Sequence, residues 1–195
     1  MQPDAYYHLY NHANGDENLF RTEDNYHYFL MLWAKYIELV ADTHAYCLMP
    51  NHFHALIKIK SEQQIRSNSK VADDLTIDRF ISRTFSNFFN AYAKAYNKMY
   101  DRRGSLFNRP FKAKEISNDS YLRAVVAYIH RNPVHHGFCR RIEDWSHSSY
   151  EVYFSAKRTK IKREMVLDLF GGFSSLQKSH KLEPHIDDTS IFIDW

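Results

Sequence analysis

A chain of 195 residues, 44% hydrophobic and 16% aromatic, has apolar surface for one well-buried core and a small appendage, and five glycines and five prolines exclude a low-complexity or disordered chain. The net charge of +3 permits a nucleic-acid partner without demanding one. Cys47 and Cys139 are too few for a disulfide framework and lack zinc spacing, no apolar run approaches the ~20 residues of a membrane span, and Met1-Gln2-Pro3-Asp4 does not open a signal peptide, so a cytoplasmic protein with no membrane partner is expected.

In chain order, residues 6–12 read as an aromatic, partly alternating strand, closed by the turn signal Asn14-Gly15-Asp16. Thr22 caps a helix expected to run to about Ala41, with Phe29, Leu32, Trp33, Tyr36, Ile37 and Val40 at helical spacing. Residues 44–49 and 53–60 read as strands of one antiparallel hairpin around Pro50-Asn51. The polar stretch 62–73 reads as a loop. Residues 75–100 carry Phe80, Ile81, Phe85, Phe88, Phe89 and Tyr92 in a long helical pattern that Gly104 stops. An extended segment comes next, over 106–116, broken by Pro110. Ser117 or Asn118 begins a helix expected to end at Asn132, because the residue before a proline avoids helical geometry. Helical pieces over 162–170 and 174–180 flank Gly171-Gly172. This order predicts an α+β fold, a ferredoxin-like antiparallel sheet flanked by helices. Residues 1–154 form the domain, and 155–195 a short helical C-terminal extension.

Three features carry chemistry. In His52-Phe53-His54 the strand period of two puts both imidazoles on one face, a half-site for a divalent metal, and turns Phe53 towards a core. The plainer reading is two ordinary strand histidines in a chain that has 12. In Tyr128-Ile129-His130-Arg131-Asn132-Pro133 the hydroxyl of Tyr128 is a competent nucleophile, and Asn132, four residues on, shares its helix face and offers a carbonyl to a metal. A core tyrosine and a helix-end asparagine are the plainer account. Residues 102–114 hold Arg102, Arg103, Arg109, Lys112 and Lys114 with no acidic residue and with Phe107 and Phe111 interleaved, the pattern of single-strand binding or of a solvated basic loop. Cys47 reads as a buried small hydrophobe.

Together these segments resemble a known family. Met49-Pro50-Asn51-His52-Phe53-His54 resembles the histidine–hydrophobe–histidine motif of the single-tyrosine HUH-endonuclease transposases of insertion-sequence type. Tyr128 to Val134 resembles the tyrosine helix of their REP-associated branch, and 104–112 its glycine–arginine–phenylalanine–lysine segment. Trp145-Ser146 with Ser148-Ser149-Tyr150 resembles its tryptophan–serine–serine–tyrosine signature, and 7–11 with 18–20 resemble the first strand and its turn. The resemblance spans about residues 6–153. Departures are His12-Ala13-Asn14 where relatives often carry Arg or Lys, Pro110 between Arg109 and Phe111, and His135-His136 where relatives often carry Arg-Ala.

The resemblance implies a metal-dependent nuclease and strand transferase of DNA transposition and recombination. His52, His54 and Asn132 would bind Mg²⁺ or Mn²⁺, and Tyr128 would form a 5′-phosphotyrosine link. Arg102, Arg103, Phe107, Arg109, Phe111, Lys112, Lys114 and Arg131 would contact single-stranded or hairpin DNA. Relatives include a homodimer that exchanges the tyrosine helix as well as monomers, and a nucleoid-associated cytoplasmic location is expected. Two alternatives share part of this set: a DNA-binding protein of the same fold without cleavage, and a small metallohydrolase with no use for Tyr128.

Overall fold

The computed structural model describes residues 1–69, 71–72 and 74–181, so the end of the expected C-terminal extension lies outside the described residues. The elements are β1 (Tyr6–His12), α1 (Glu23–Tyr36) with a 3₁₀ turn Ile37–Leu39, β2 (Ala41–Leu48), β3 (His52–Ile59), α2 (Glu62–Asn68) and α3 (Ile77–Met99). Then come β4 (Lys112–Ile116), α4 (Asp119–His135), α5 (Arg163–Phe170) and α6 (Phe173–Lys181). The strands form a four-stranded antiparallel sheet in the order β2-β3-β1-β4, the ferredoxin-like arrangement expected.

The sheet has two different faces. Tyr7 and Leu9 of β1 and Phe53, Ala55, Ile57 and Ile59 of β3 join Phe29, Leu32 and Trp33 of α1 and Phe85, Phe88 and Phe89 of α3 in an aromatic core. Leu56, Ala45 and Cys47 face the other way, against Val125, Val126 and Ile129 of α4, Val166 of α5 and Leu176 of α6. Central strand β3 is therefore apolar or buried at nearly every position, while edge strand β4 exposes Lys112 and Ala113. A lysine on an open edge discourages pairing with another chain. The turn before β3 is pinned from outside: the Pro50 carbonyl accepts from the Leu19 and Phe20 amides (2.7 and 2.9 Å), and the Asn51 carbonyl from the Ala13 amide (2.7 Å).

Phe53 sits at the middle of the aromatic core, its ring 5.2 Å from Phe29, 6.0 Å from Trp33 and 6.1 Å from Phe89. Truncating a fully buried phenylalanine removes its transfer free energy and leaves a cavity. Phe53→Ala is expected to lower stability by about 3–5 kcal/mol, read from urea unfolding. A loss below about 1 kcal/mol would mean that this layer is not packed as described.

Three sequence expectations are corrected. The first helix ends before Ala41, because Ala41 pairs with Ile59 as the start of β2. The stretch read as a loop over 62–73 contains α2. Its signal was a capping box: Ser61 Oγ accepts from the Gln64 amide (3.3 Å), Gln64 Oε1 from the Ser61 amide (3.0 Å), and Ile65 anchors the helix in the core. Residues 70 and 73 of that stretch lie outside the described residues. The helix expected to stop at Asn132 runs through Pro133 to His135. The bias of a pre-proline residue is overcome here because Pro133 is buried and the chain closes around it. His136 N–H donates to Asn132 O (3.0 Å), and Phe138 N–H to Pro133 O (2.9 Å).

Candidate functional site

The strand period delivers His52 and His54 to the face covered by α4, with Phe53 between them turned into the aromatic core. Pairing adds β1 to the same face: His12 lies opposite His52, and Tyr10 opposite His54, with His8 one step further. Asn118 caps α4 by accepting from the Tyr121 amide (2.8 Å), and the helix lays Tyr128 and Asn132 over these strands. The Tyr128 ring stands edge-on to His54 (centroids 5.3 Å apart) and to His8 (5.8 Å). One turn on, Asn132 Oδ1 is 2.8 Å from His52 Nε2. His52, His54, Tyr128 and Asn132, expected from the sequence as one set, thus meet in one place.

The hydrogen-bond pattern of this cluster is incomplete. His52 Nδ1 lies 2.8 Å from Asn51 Oδ1. Both ring nitrogens of His52 thus face an amide oxygen, which only accepts, and a neutral imidazole has one N–H to share between them. His54 Nδ1 meets His8 Nε2 at 3.0 Å, whereas His54 Nε2 and Asn132 Nδ2 are buried with no partner among the described residues. Burial pushes the imidazole of His52 down to about 4, against the opposing bond from Asn132. It pushes His8 down to about 3, helped by the charge of Lys114, and holds His54 well below the ordinary histidine value. All three rings are therefore neutral near pH 7 and bear lone pairs.

Two imidazoles and an amide oxygen are a competent donor set for a divalent cation, and the unpartnered His54 Nε2 is a group that a cation would satisfy. No three His, Cys, Asp or Glu side chains converge as a metal site among the described residues, so such a site depends on Asn132.

The basic segment divides. Loop 106–108 is stitched to the end of β1: Asn14 N–H donates to Leu106 O (2.8 Å) and Asn108 N–H to His12 O (2.9 Å), beside the stacked pair His12–His52 (5.8 Å). Arg103, Arg109 and Lys112 are exposed. Arg109, Phe111, Ser82, Ser86 and Asn90 line a cleft of about 550 Å³ between this loop and α3. Arg102 braces the loop instead, donating to Glu17 Oε2 (2.6 Å), Asn97 Oδ1 (3.1 Å) and Ser105 O (3.1 Å). Phe107, expected to stack on bases, is only 5% exposed and packs against Phe89 (4.9 Å) and Tyr92 (6.0 Å), so that expectation is corrected: its ring is core. Half-buried Phe111 lies on Phe85 and Phe89 (5.5 and 5.2 Å). Lys114 extends over the Tyr121 ring (5.2 Å). Arg131 does not join the histidines. It donates to His180 O (3.1 Å) and lines a second cleft of about 460 Å³ with Arg140, Arg141 and Lys181.

Sequence reasoning missed His8 and Asn51. His8 was two residues from Tyr10 and four from His12 in a predicted strand, hence on their face, but only the pairing with β3 brings it to His54. His130, next to the tyrosine turn, points away from it into a buried chain with His180 and Ser149.

A family model described as Transposase IS200 like matches residues 2–132, a span that includes His52, His54, Tyr128 and Asn132. Curated proteins give no match. Among solved structures the chain is similar to one described as a REP-associated tyrosine transposase bound to a REP hairpin. The identity is 18% and the TM-score 0.56, over 80% of this chain and 82% of that one, which shows a shared fold. No helix among the described residues is long and apolar enough to cross a membrane.

Proposed function

The chain belongs to the family of IS200-like transposases, and from that premise we propose that it is a metal-dependent endonuclease and strand transferase that cuts single-stranded or hairpin DNA through a covalent link to Tyr128. The observation that carries this reading is the convergence of Tyr128, His52, His54 and Asn132 on one sheet face, with His54 Nε2 and Asn132 Nδ2 lacking protein partners among the described residues. The solved structure of similar fold is described as bound to a REP hairpin, which supports a hairpin substrate here.

His52, His54 and Asn132 would hold Mg²⁺ or Mn²⁺, which when bound supplies charge neutralisation and orientation at the scissile phosphate. Asn51 fixes the His52 ring through its other nitrogen, and the strand holds both imidazoles rigidly. The Tyr128 oxygen attacks phosphorus in line. The bond to the 3′ oxygen breaks, the 5′ phosphate becomes esterified to tyrosine, and the phenol proton is lost to solvent while the departing 3′ oxygen gains one. Attack by a 3′ hydroxyl reverses the exchange and rejoins strands with no energy-supplying cofactor. Arg103, Arg109 and Lys112 hold the backbone on the loop and β4 edge, with Lys114 closer to the histidines and Arg131 on the outer side of α4. The ring of Tyr128 already stands beside His54 of its own chain, which supports cleavage in cis, without exchange of the tyrosine helix in a homodimer. A DNA substrate would place this work at the nucleoid.

The test is covalent trapping. Incubating the protein with labelled single-stranded hairpin DNAs and Mn²⁺ is expected to give a slow band on a denaturing gel that disappears with EDTA. Retention of the DNA on a native gel with no such band would favour binding without cleavage.

A further inference from the structure

The geometry points to His8 as the positioning residue that decides which ring nitrogen of His54 carries the proton, and so makes His54 a ligand. This rests on the reading of His52, His54 and Asn132 as the cation site. His8 lies on central strand β1, diagonal to His54 across the β1–β3 ladder, and is fully buried. The two rings stack, with centroids 5.1 Å apart and planes 29° off parallel, and the one polar contact between them is His8 Nε2 to His54 Nδ1 at 3.0 Å.

A neutral imidazole has one N–H and one lone pair. The 3.0 Å contact can therefore be made in two ways. If His8 donates, His54 must carry its own proton on Nε2, where no acceptor exists among the described residues. A protonated Nε2 also has no lone pair for a cation. If His54 donates from Nδ1, its Nε2 is left bare, in a ring that lies against those of Tyr128 and His52. The second arrangement leaves His8 Nδ1–H buried without a partner. Each arrangement thus buries one N–H without a partner, and only the second leaves His54 a lone pair for a cation. Ligating histidines ordinarily give their second N–H to a carboxylate or carbonyl, and here an imidazole stands in that place.

Two measurements on the full chain decide this. Long-range ¹H–¹⁵N correlation of the metal-free protein reads the tautomer of His54 directly, and the Nδ1–H form is expected. Titration with Mn²⁺ alone, by calorimetry and by loss of the free-ion EPR signal, reads affinity without DNA or turnover. His8→Phe keeps a ring but accepts no hydrogen bond, and is expected to weaken Mn²⁺ binding about 10–100-fold. His8→Gln, whose Oε1 can accept from His54, is expected to restore most of it. Failure of His8→Phe to fold leaves the Gln variant and the wild-type spectrum to decide. An Nε2–H tautomer in the wild type, or equal Mn²⁺ affinity in His8→Phe, overturns the inference. A wild type that binds no Mn²⁺ yet shows the Nδ1–H form would instead remove the cation reading and leave the role of His8 in setting the tautomer intact.

Discussion

Tyr128→Phe is expected to abolish the covalent protein–DNA adduct while leaving DNA retention on a native gel within about two-fold. The substitution removes one oxygen from a site in which the ring makes the packing contacts: Tyr128 stands edge-on to His54 and His8, and phenylalanine preserves both contacts. Stability should change little. Chemistry should collapse, because no other group replaces a deleted nucleophile, and losses of at least about a thousand-fold in rate are the ordinary consequence. The measurement is single-turnover cleavage of labelled hairpin DNA beside the denaturing gel. A persisting adduct in the variant would defeat the assignment and direct attention to Tyr10, whose ring lies 5.8 Å from His54 on the neighbouring strand.

The second large effect is acid unfolding driven by histidines remote from the proposed cation site. His180 Nδ1 faces the Leu176 carbonyl (2.8 Å), so it carries the proton and leaves Nε2 to accept from His130 Nδ1 (2.8 Å). His130 Nε2 then accepts from the Ser149 hydroxyl (2.9 Å), which itself accepts from the Tyr46 amide (2.9 Å). This buried chain clasps α6 to α4 only while both rings are neutral. Burial holds His130 well below its ordinary value and pushes His180 down to about 4. Arg131 acts on His180 in the same direction, while the Leu176 carbonyl and Glu143 oppose. His44 is likewise pushed to about 4 by burial, despite its bond to the Lys162 carbonyl. A histidine whose folded value is depressed contributes stability above its unfolded value of about 6.5 and loses it as pH falls towards the folded value. Uptake of three protons by His44, His130 and His180 alone gives a slope of about 4 kcal/mol per pH unit, so two units consume about as much as a typical domain possesses, and the buried His8, His52 and His54 act in the same direction. Thermal melts in EDTA should be level above pH 7 and fall steeply from pH 6.5 towards pH 5. His180→Leu should flatten the slope, and a Tm constant from pH 7 to pH 5 would show that these rings do not resist protonation.

How much of this was legible in the sequence depended on the range of the interaction. The faces of His52, Phe53 and His54 follow from the strand period, and the common face of Tyr128 and Asn132 from the helix period, so four residues of the site were available from local geometry. His8 was not, since its partner is set by the register of β1 on β3, and neither was the link from His130 to a residue 50 positions later. Phe107 shows a different limit. An aromatic ring among cations can stack on a base or on Phe89, and composition does not distinguish the two. Helix α2 was lost because polar composition outweighed a short capping signal, and the last turn of α4 because a proline bias is weaker than the packing of Pro133.

The turn pinned at Pro50 and Asn51 limits how such a protein can diverge. Along β3, residues of the proposed cation site alternate with residues of the aromatic core, so one extra or missing residue in the strand's approach would exchange the two sets. Phe53 would be delivered to the proposed cation site and two imidazoles to the hydrocarbon interior. Lineages are therefore free to change side chains around this turn, to reshape the basic loop and to vary the chain beyond α4, but insertions and deletions are closed to them at this point, and the reading frame of the sheet is inherited as a unit.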